Sequence, residues 1–115
     1  MSISPEVPQV DADEGARLVS EGAFLLDVRE PDEWTAGHAP AATHIPLDQV
    51  PSRGEELPAG VTVVSVCRRG ARSDRAAAYL RSRGIEAVNL AGGMRAWAAA
   101  GLDVVTDEGD PGSVI

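Results

Sequence analysis

The residues best suited to chemistry are a run of seven, from Cys67 to Ser73, that reads Cys-Arg-Arg-Gly-Ala-Arg-Ser. Cys67 is the only cysteine in the chain, and Arg68, Arg69 and Arg72 follow it closely. A thiol beside cations or at a helix N-terminus titrates well below its ordinary value of about 8.5, and the thiolate is its nucleophilic form. The run therefore predicts a reactive cysteine in a site that binds anions.

The segments on either side of this run predict how it is held. Residues 61–66 are β-branched at most positions, which is typical of a strand buried on both faces of a parallel sheet. Helix-forming residues run from Asp74 to Arg81, and Gly84 is placed to end that helix. The loop between strand and helix opens with Cys67 and ends at backbone N–H groups that have no partner within the helix. These N–H groups and the helix dipole favour an anion there.

The ionisation of Cys67 follows from simple electrostatics. One guanidinium about 6 Å from the sulfur, at an effective dielectric constant of about 20, stabilises the thiolate by about 2 to 3 kcal/mol. This energy corresponds to about two pKa units, so we predict that Cys67 is largely ionised at neutral pH. The alternative is a packed, inert cysteine, which is common at the end of an apolar strand. The arginines and the glycine that follow favour catalysis.

The run Cys67 to Ser73 resembles the active-site loop of single-domain rhodanese sulfurtransferases. The resemblance extends from about Val10 to Val105. Other stretches match the family in order and spacing: Leu25 to Trp34, Gly37-His38, Ile45-Pro46-Leu47, Leu90 to Trp97, and Gly101. One departure is Ala-Pro-Ala-Ala at residues 39–42, where the family usually has Ile-Pro-Gly-Ala.

The resemblance implies a mechanism and a set of site residues. Cys67 would take the outer sulfur of thiosulfate, release sulfite, and pass the sulfur from a persulfide to cyanide or a thiol acceptor. Arg68 and Arg69 would bind the anionic donor, while Arg72 would steady the loop and the charged sulfur. No cofactor and no metal are expected. The substrate-binding residues implied are Arg68, Arg69, Gly70, Ala71, Arg72 and Ser73.

Two other functions fit the same loop. A phosphatase or arsenate reductase uses a Cys-x5-Arg loop, whereas Cys67 and Arg72 give Cys-x4-Arg, a tighter ring that crowds a tetrahedral phosphate. A sulfur-carrier or redox-sensing module would keep the loop but act with a partner protein as sulfur donor or acceptor. Slow turnover of thiosulfate with fast transfer from a persulfidated protein would identify such a carrier.

Asp27 and Arg29 are expected beside the loop. They end a second predicted strand, residues 23–28, and ligands of parallel sheets collect at the carboxyl ends of the strands. One reading is that the two residues orient the Cys67 loop, which agrees with the strand-end motif of the resembled family. The other reading, a structural salt bridge without a chemical role, is equally favoured.

The histidines and tryptophans are given structural roles. His38 follows Gly37, and His44 lies in a predicted short strand, residues 43–45, so neither adjoins a nucleophile in sequence. We expect both to be structural and hydrogen-bonded. Trp34 and Trp97 are expected to pack in the core or at its rim.

The order of elements predicts an α/β fold of three layers, α/β/α, with a central five-stranded, mainly parallel sheet of rhodanese-like type. Residues 87–90 supply its last strand, and helices are expected after Asp11, from Pro31 and over 94–100, with a short helix over 47–53 that Pro51 interrupts. The domain is expected over residues 10–105. Residues 1–9 would form a lead-in, and residues 106–115 an acidic, flexible tail.

Size and charge exclude several classes of protein. The chain has 115 residues, 43% of them hydrophobic, which suits one compact domain. Its net charge of −8 argues against nucleic acid or an anionic membrane surface as partner. Residues 68–83 nevertheless hold six arginines and one acid, an excess that suits a small anionic substrate.

Cysteine usage and the lack of apolar runs set expectations about the compartment. One cysteine cannot form an internal disulfide, and no Cys and His spacing indicates zinc. Without a leader or a membrane-spanning run, a cytoplasmic protein is the default expectation. All ten basic residues are arginine and alanine is abundant, which favours a bacterial source.

Overall fold

The computed structural model describes residues 3–115, so the first two residues of the predicted lead-in lie outside the described part. Within it the chain alternates short strands with helices, as the sequence predicts. The elements are β1 Gln9–Val10, α1 Ala12–Ser20, β2 Phe24–Asp27, α2 Pro31–Ala36, β3 Thr43–His44, β4 Val63–Val66, α3 Ala71–Ser82, β5 Ala87–Leu90 and α4 Gly93–Ala99.

The five strands form one parallel sheet in the order β1-β5-β4-β2-β3. The predicted α/β architecture is therefore confirmed, with every pairing parallel. The central strand is β4, where Val63 lies opposite Phe24 of β2 and Ala87 of β5. Because all strands run the same way, the ends of β2, β4 and β5 meet at one rim of the sheet.

Two apolar clusters cover the two faces of the sheet. Alternation along a strand sends Val63 to one face and Val64 to the other. On the first face the sheet packs against Ala76, Ala77 and Leu80 of α3. On the second face it packs against Ala12 of α1 and against Met94 and Trp97 of α4. Helices on both faces make the three layers that the sequence predicts.

The helix after Cys67 begins about one turn earlier than predicted. The sequence placed its start near Asp74, but α3 begins at Ala71, and the backbone N–H of Asp74 already donates to the carbonyl of Gly70. Gly70 adopts φ +116°, a left-handed conformation that residues with a side chain rarely adopt. The predicted loop is thereby shortened, and Ala71, Arg72 and Ser73 belong to the first helical turn.

The segment between β3 and β4 is interrupted before Pro51, as predicted, but its helical type and its end differ from the prediction. Instead of a helix over 47–53, the chain forms two 3-10 segments, Leu47–Gln49 and Pro51–Glu56. Pro51 lacks a backbone N–H, so a continuous helix cannot pass through this position.

Both ends of the described chain contact the domain. Nε of Arg81 donates to the carbonyl of Ser4 at 2.7 Å, and β1 pairs with β5. In the acidic tail, the N–H groups of Gly112 and Ser113 donate to carbonyls of Val104 and Ala36. The flexibility expected for residues 106–115 in solution stays a prediction.

No helix among residues 3–115 combines the length and the apolar character needed to cross a bilayer. The 12 residues of α3 span about 18 Å at about 1.5 Å per residue. The hydrocarbon core of a membrane is about 30 Å thick.

Candidate active site

Cys67 directly follows the central strand β4 and lies at the rim of the sheet where ligands collect. Its side chain is almost covered, with 1% of the residue exposed, and it belongs to an apolar cluster that includes Val28 and Ile45. The packed environment expected for an inert cysteine is therefore present. The polar groups on the other side of the sulfur distinguish it from such a cysteine.

Hydrogen-bond donors of the Cys67 loop, residues 67–73, point at the sulfur. The backbone N–H of Gly70 lies 3.1 Å from Sγ of Cys67, and the hydroxyl of Ser73 lies 3.3 Å from it. Burial raises the pKa of Cys67, but hydrogen bonds from the Ser73 hydroxyl and from the amides of Ser73, Gly70 and Arg69 outweigh it. The net pKa of the thiol is lowered, and hydrogen bonds are the larger causes of the lowering.

Outside the sulfur lies a small cavity of about 300 Å³. Its lining is Cys67, Arg68, Arg69, Ala71 and Arg72. An anion in this cavity would lie beside Cys67 and three arginine residues. The geometry therefore brings the predicted nucleophile and the predicted arginines to one place.

The loop is held from behind by the N-terminus of α4. The backbone N–H of Met94 donates to the carbonyl of Cys67 at 2.7 Å, and that of Arg95 donates to the carbonyl of Arg68 at 3.1 Å. In a trans peptide the C=O and N–H groups point in opposite directions. Drawing the carbonyl of Arg68 towards α4 therefore turns the N–H of Arg69 to the other side, where the sulfur lies.

A carboxylate of α2 holds Arg72. The guanidinium donates to both carboxylate oxygens of Glu33, at 2.7 and 2.9 Å. Glu33 also accepts from the N–H of Glu30 and completes the capping box of α2. The hydrogen bonds from Arg72 lower the pKa of Glu33 to about 2, and Glu33 in turn raises the pKa of Arg72. The thiolate of Cys67 is a smaller cause of that rise.

Glu33 is a site residue that sequence reasoning missed. Its signal was the helix start at Pro31 followed by an acid at the third helical position, which predicts a cap and not a partner for Arg72. The pair joins α2 to α3 and orients Arg72 at the edge of the cavity.

We expect Glu33→Gln to destabilise the protein at neutral pH and to lose this effect in acid. The pKa of Glu33 is depressed from 4.5 to about 2 in the folded protein, so its contribution is present above pH 4.5 and disappears as the pH falls through 2. Urea unfolding of both proteins at several pH values between 7 and 2 measures the difference in the free energy of unfolding. A difference that stayed constant or grew in acid would contradict the assignment.

Arg68 and Arg69 differ in their surroundings. Arg69 is exposed, whereas Arg68 is half-buried, and its buried Nε has no hydrogen-bond partner among the residues described. Both side chains line the cavity beside Cys67. Arg68 thus lines the cavity and keeps one buried donor without a partner among the described residues.

Asp27 and Arg29 form a fully buried ion pair at the end of β2. Nη2 of Arg29 lies 2.8 Å from the carboxylate of Asp27 and donates also to the carbonyl of Gly37 at 2.8 Å. Among the described residues, none of the hydrogen bonds of this pair reaches the Cys67 loop. The expectation that the pair orients this loop stays a prediction.

Trp34 organises the two histidines at the rim. Its ring stacks on His38 at 3.5 Å and on His44 at 4.9 Å between centroids. Nδ1 of His38 lies 2.9 Å from the carbonyl of Trp34, and Nε2 of His44 lies 2.7 Å from that of Arg29. Both histidines are hydrogen-bonded, as predicted. Trp97 is buried in the core.

A buried thiol that accepts hydrogen bonds from the start of a helix, at the rim of a parallel sheet, defines a cysteine-loop α/β domain. The sequence profile of the rhodanese-like domain matches residues 11–100. The chain belongs to this family, which confirms the resemblance seen in the sequence.

Individual relatives are similar over most of the chain. A sulfurtransferase of Allochromatium vinosum is 44% identical over 91 residues, which cover 78% of this chain and 85% of the relative. A putative sulfur carrier protein of Bacillus subtilis is 37% identical over 90 residues, which cover 77% of this chain and 45% of the relative. A thiosulfate sulfurtransferase structure from Pseudomonas aeruginosa superposes with a TM-score of 0.81 at 26% identity, over 92% of this chain and 21% of that one.

Proposed function

We propose that the protein is a sulfurtransferase that carries sulfane sulfur as a persulfide on Cys67. The observation that carries this proposal is the position of Sγ, which accepts a hydrogen bond from the amide of Gly70 and borders a cavity lined by arginines. The donors favour a sulfur anion, and the arginines favour an anionic sulfur compound such as thiosulfate. The sulfurtransferase relative supports the same class of reaction.

The reaction has two steps. In the first, the Cys67 thiolate attacks the outer sulfur of thiosulfate, a sulfur–sulfur bond forms, and the original sulfur–sulfur bond breaks to release sulfite. In the second, cyanide or a thiolate attacks the outer sulfur of the persulfide and leaves as thiocyanate or as a new persulfide. Cys67 returns as thiolate, so charge and atoms balance without a cofactor.

The residues of the loop have separate roles in this scheme. Arg68 and Arg69 bind the sulfonate end of the donor, and the amides of residues 68–73 hold the outer sulfur of the persulfide. Arg72, anchored by Glu33, supplies a fixed positive charge beside the loop. Asp27 and Arg29 support the rim through the carbonyl of Gly37.

The phosphatase alternative is less well supported. Arg72 already donates from both Nη atoms to the carboxylate of Glu33, so part of its charge and two of its five N–H groups are committed to this partner and not to a phosphate. Hydrolysis of an aryl phosphate by the protein, without sulfur transfer, would reverse this ranking.

A sulfur carrier that works with a partner protein is the second candidate. The relative described as a putative sulfur carrier favours it. So does a groove of about 480 Å³ that shares Arg72 with the site and is lined by apolar atoms of Leu47, Val50 and Tyr79. This groove is larger than cyanide or thiosulfate requires. Fast transfer from a persulfidated protein, with slow turnover of thiosulfate, would favour the carrier.

We expect thiosulfate to add one sulfur atom to Cys67, because the loop is built to hold a sulfur anion beyond Sγ. Intact-protein mass spectrometry after incubation with thiosulfate detects the added atom, and later addition of cyanide removes it. The control is protein alkylated on Cys67 beforehand, which gains no sulfur. An unchanged mass in the unmodified protein would rule out the persulfide.

A further inference from the structure

A chain of buried hydrogen bonds lies behind the nucleophile and runs across to β5. Oγ of Ser73 lies 3.3 Å from Sγ of Cys67 but only 2.6 Å from Oδ1 of Asn89. Ser73 is fully buried and Asn89 is 3% exposed. Asn89 thus reaches the sulfur through one intervening hydroxyl, although it is 22 positions away in the sequence.

The orientation of the Asn89 amide is fixed by its donors. Nδ2 lies 3.1 Å from the carbonyl of Gly70 and 2.8 Å from Oε1 of Gln9. Both are acceptors, so the NH₂ group must face them. The remaining atom, Oδ1, is therefore an acceptor directed at Ser73.

The hydroxyl of Ser73 has one hydrogen to donate, but three acceptors surround it. Oδ1 of Asn89, Sγ of Cys67 and the carbonyl of Gly70 all lie within hydrogen-bond distance of Oγ. A charged acceptor forms a bond roughly twice as strong as a neutral one. The charge on the sulfur therefore decides between the long contact to Sγ and the short one to Asn89.

We propose that Asn89 is a positioning residue that competes with Cys67 for the hydroxyl hydrogen of Ser73. When Sγ is a thiolate, the hydrogen turns towards the sulfur. When Sγ is the neutral inner atom of a persulfide, the hydrogen turns back to Asn89. The hydroxyl only rotates about its Cβ–Oγ bond, so no covalent bond changes and no proton leaves Ser73.

This arrangement favours the return of sulfur to an acceptor. In the second step Cys67 is the leaving group: the acceptor's electron pair forms the new bond to the outer sulfur, and the electron pair of the broken sulfur–sulfur bond goes to Sγ, which becomes a thiolate. Ser73 then donates to Sγ as the charge develops there, which stabilises the departing thiolate. Asn89 keeps the hydroxyl in place between turnovers, at a distance that allows this rotation.

The test measures the pKa of the Cys67 thiol from the pH dependence of its rate of alkylation by iodoacetamide. We expect Ser73→Ala to raise this pKa by about one unit, since a hydrogen bond to an anion is lost. We expect Asn89→Leu to lower it by up to about one unit, because the hydroxyl no longer has a competing acceptor. In the Ser73→Ala background, Asn89→Leu should have no such effect.

A role of Asn89 in folding alone would give a different pattern. A loosened loop would shift the pKa of Cys67 by the same amount with or without the Ser73 hydroxyl, and that result would overturn the proposal. An unchanged pKa in Asn89→Leu would also overturn it. If Asn89→Leu does not fold, Asn89→Ala removes the same acceptor without added bulk. Ser65→Ala, which removes another fully buried hydroxyl on β4, is the matched control and should leave the pKa unchanged.

The charged groups around Cys67 stay constant in these comparisons, so they do not account for a difference between backgrounds. They come from the end of β2, from α2 and the residue before it, from the Cys67 loop and α3, and from α4, and are Asp27, Arg29, Glu30, Glu33, Arg68, Arg69, Arg72 and Arg95. The proposal rests on Cys67 as the nucleophile of the proposed sulfur transfer. Because alkylation does not depend on turnover, the hydroxyl competition and the sulfur transfer can fail separately.

Discussion

Cys67→Ser is expected to lower kcat/KM for sulfur transfer from thiosulfate to cyanide by about 10³-fold or more. A serine hydroxyl stays protonated at neutral pH and is a much weaker nucleophile than a thiol, and its oxygen cannot carry a persulfide. The amides of the Cys67 loop would still bind an anion, so binding of the donor should change less than turnover. Formation of thiocyanate measures the rate.

The fold should tolerate this substitution. Serine is close to cysteine in size, and its hydroxyl can accept from the N–H of Gly70, as the sulfur does. Thermal unfolding should therefore show a folded protein, so that a lost activity is not a lost structure. Comparable thiocyanate production by the two proteins would remove Cys67 from the mechanism and leave the arginine-lined cavity without its nucleophile.

The sequence predicted the strand and the loop of this site better than the side-chain contacts between distant residues. Residues 61–66 and the run after them are local patterns, and strand propensity correctly placed Cys67, the predicted nucleophile, directly after β4. The pairing of Arg72 with Glu33 joins positions far apart in the chain, so no local pattern contains it. Asn89 is a polar residue inside the apolar strand β5, and a buried polar side chain needs a hydrogen-bond partner. The sequence analysis did not use this signal.

The position of Asn89 depends on the register of the sheet. Asn89 lies opposite Ser65 on β4. Side chains along β5 point alternately to the two faces of the sheet, so the register decides which face the side-chain amide of Asn89 occupies. A sequence gives the strand but not its register. The hydrogen bonds to Ser73 and Gly70 could therefore be found only from the folded chain.

The cause of the lowered thiol pKa also had to come from the structure. The sequence estimate used a guanidinium at an assumed distance, because charges can be counted in a sequence and backbone orientations cannot. In the structure the N–H groups of Arg69, Gly70 and Ser73 face the sulfur. Arg72 instead pairs with Glu33. The sequence predicted correctly that the pKa of Cys67 is lowered, but it named an arginine charge as the main cause where the structure has hydrogen bonds.

Gly93→Ala is expected to lower kcat/KM by about 10²-fold or more and to destabilise the protein by about 2 to 4 kcal/mol. A Cβ at this position would lie 2.5 Å from the carbonyl oxygens of Cys67 and Arg68. These are the carbonyls that the N–H groups of Met94 and Arg95 hold, so relief of the clash must move the loop away from α4. The N–H of Arg69 would then no longer point at the sulfur.

Gly101→Ala is the matched control for backbone strain. Gly101 also has a positive φ, +81° against +60° for Gly93, but a Cβ there meets nothing within 4 Å. We expect Gly101→Ala to lose about 1 kcal/mol of stability and to keep its activity within about twofold. Urea unfolding and thiocyanate formation measure both variants. If the two glycine variants behaved alike, the close approach of α4 to the loop would not be what orients the donors around Cys67.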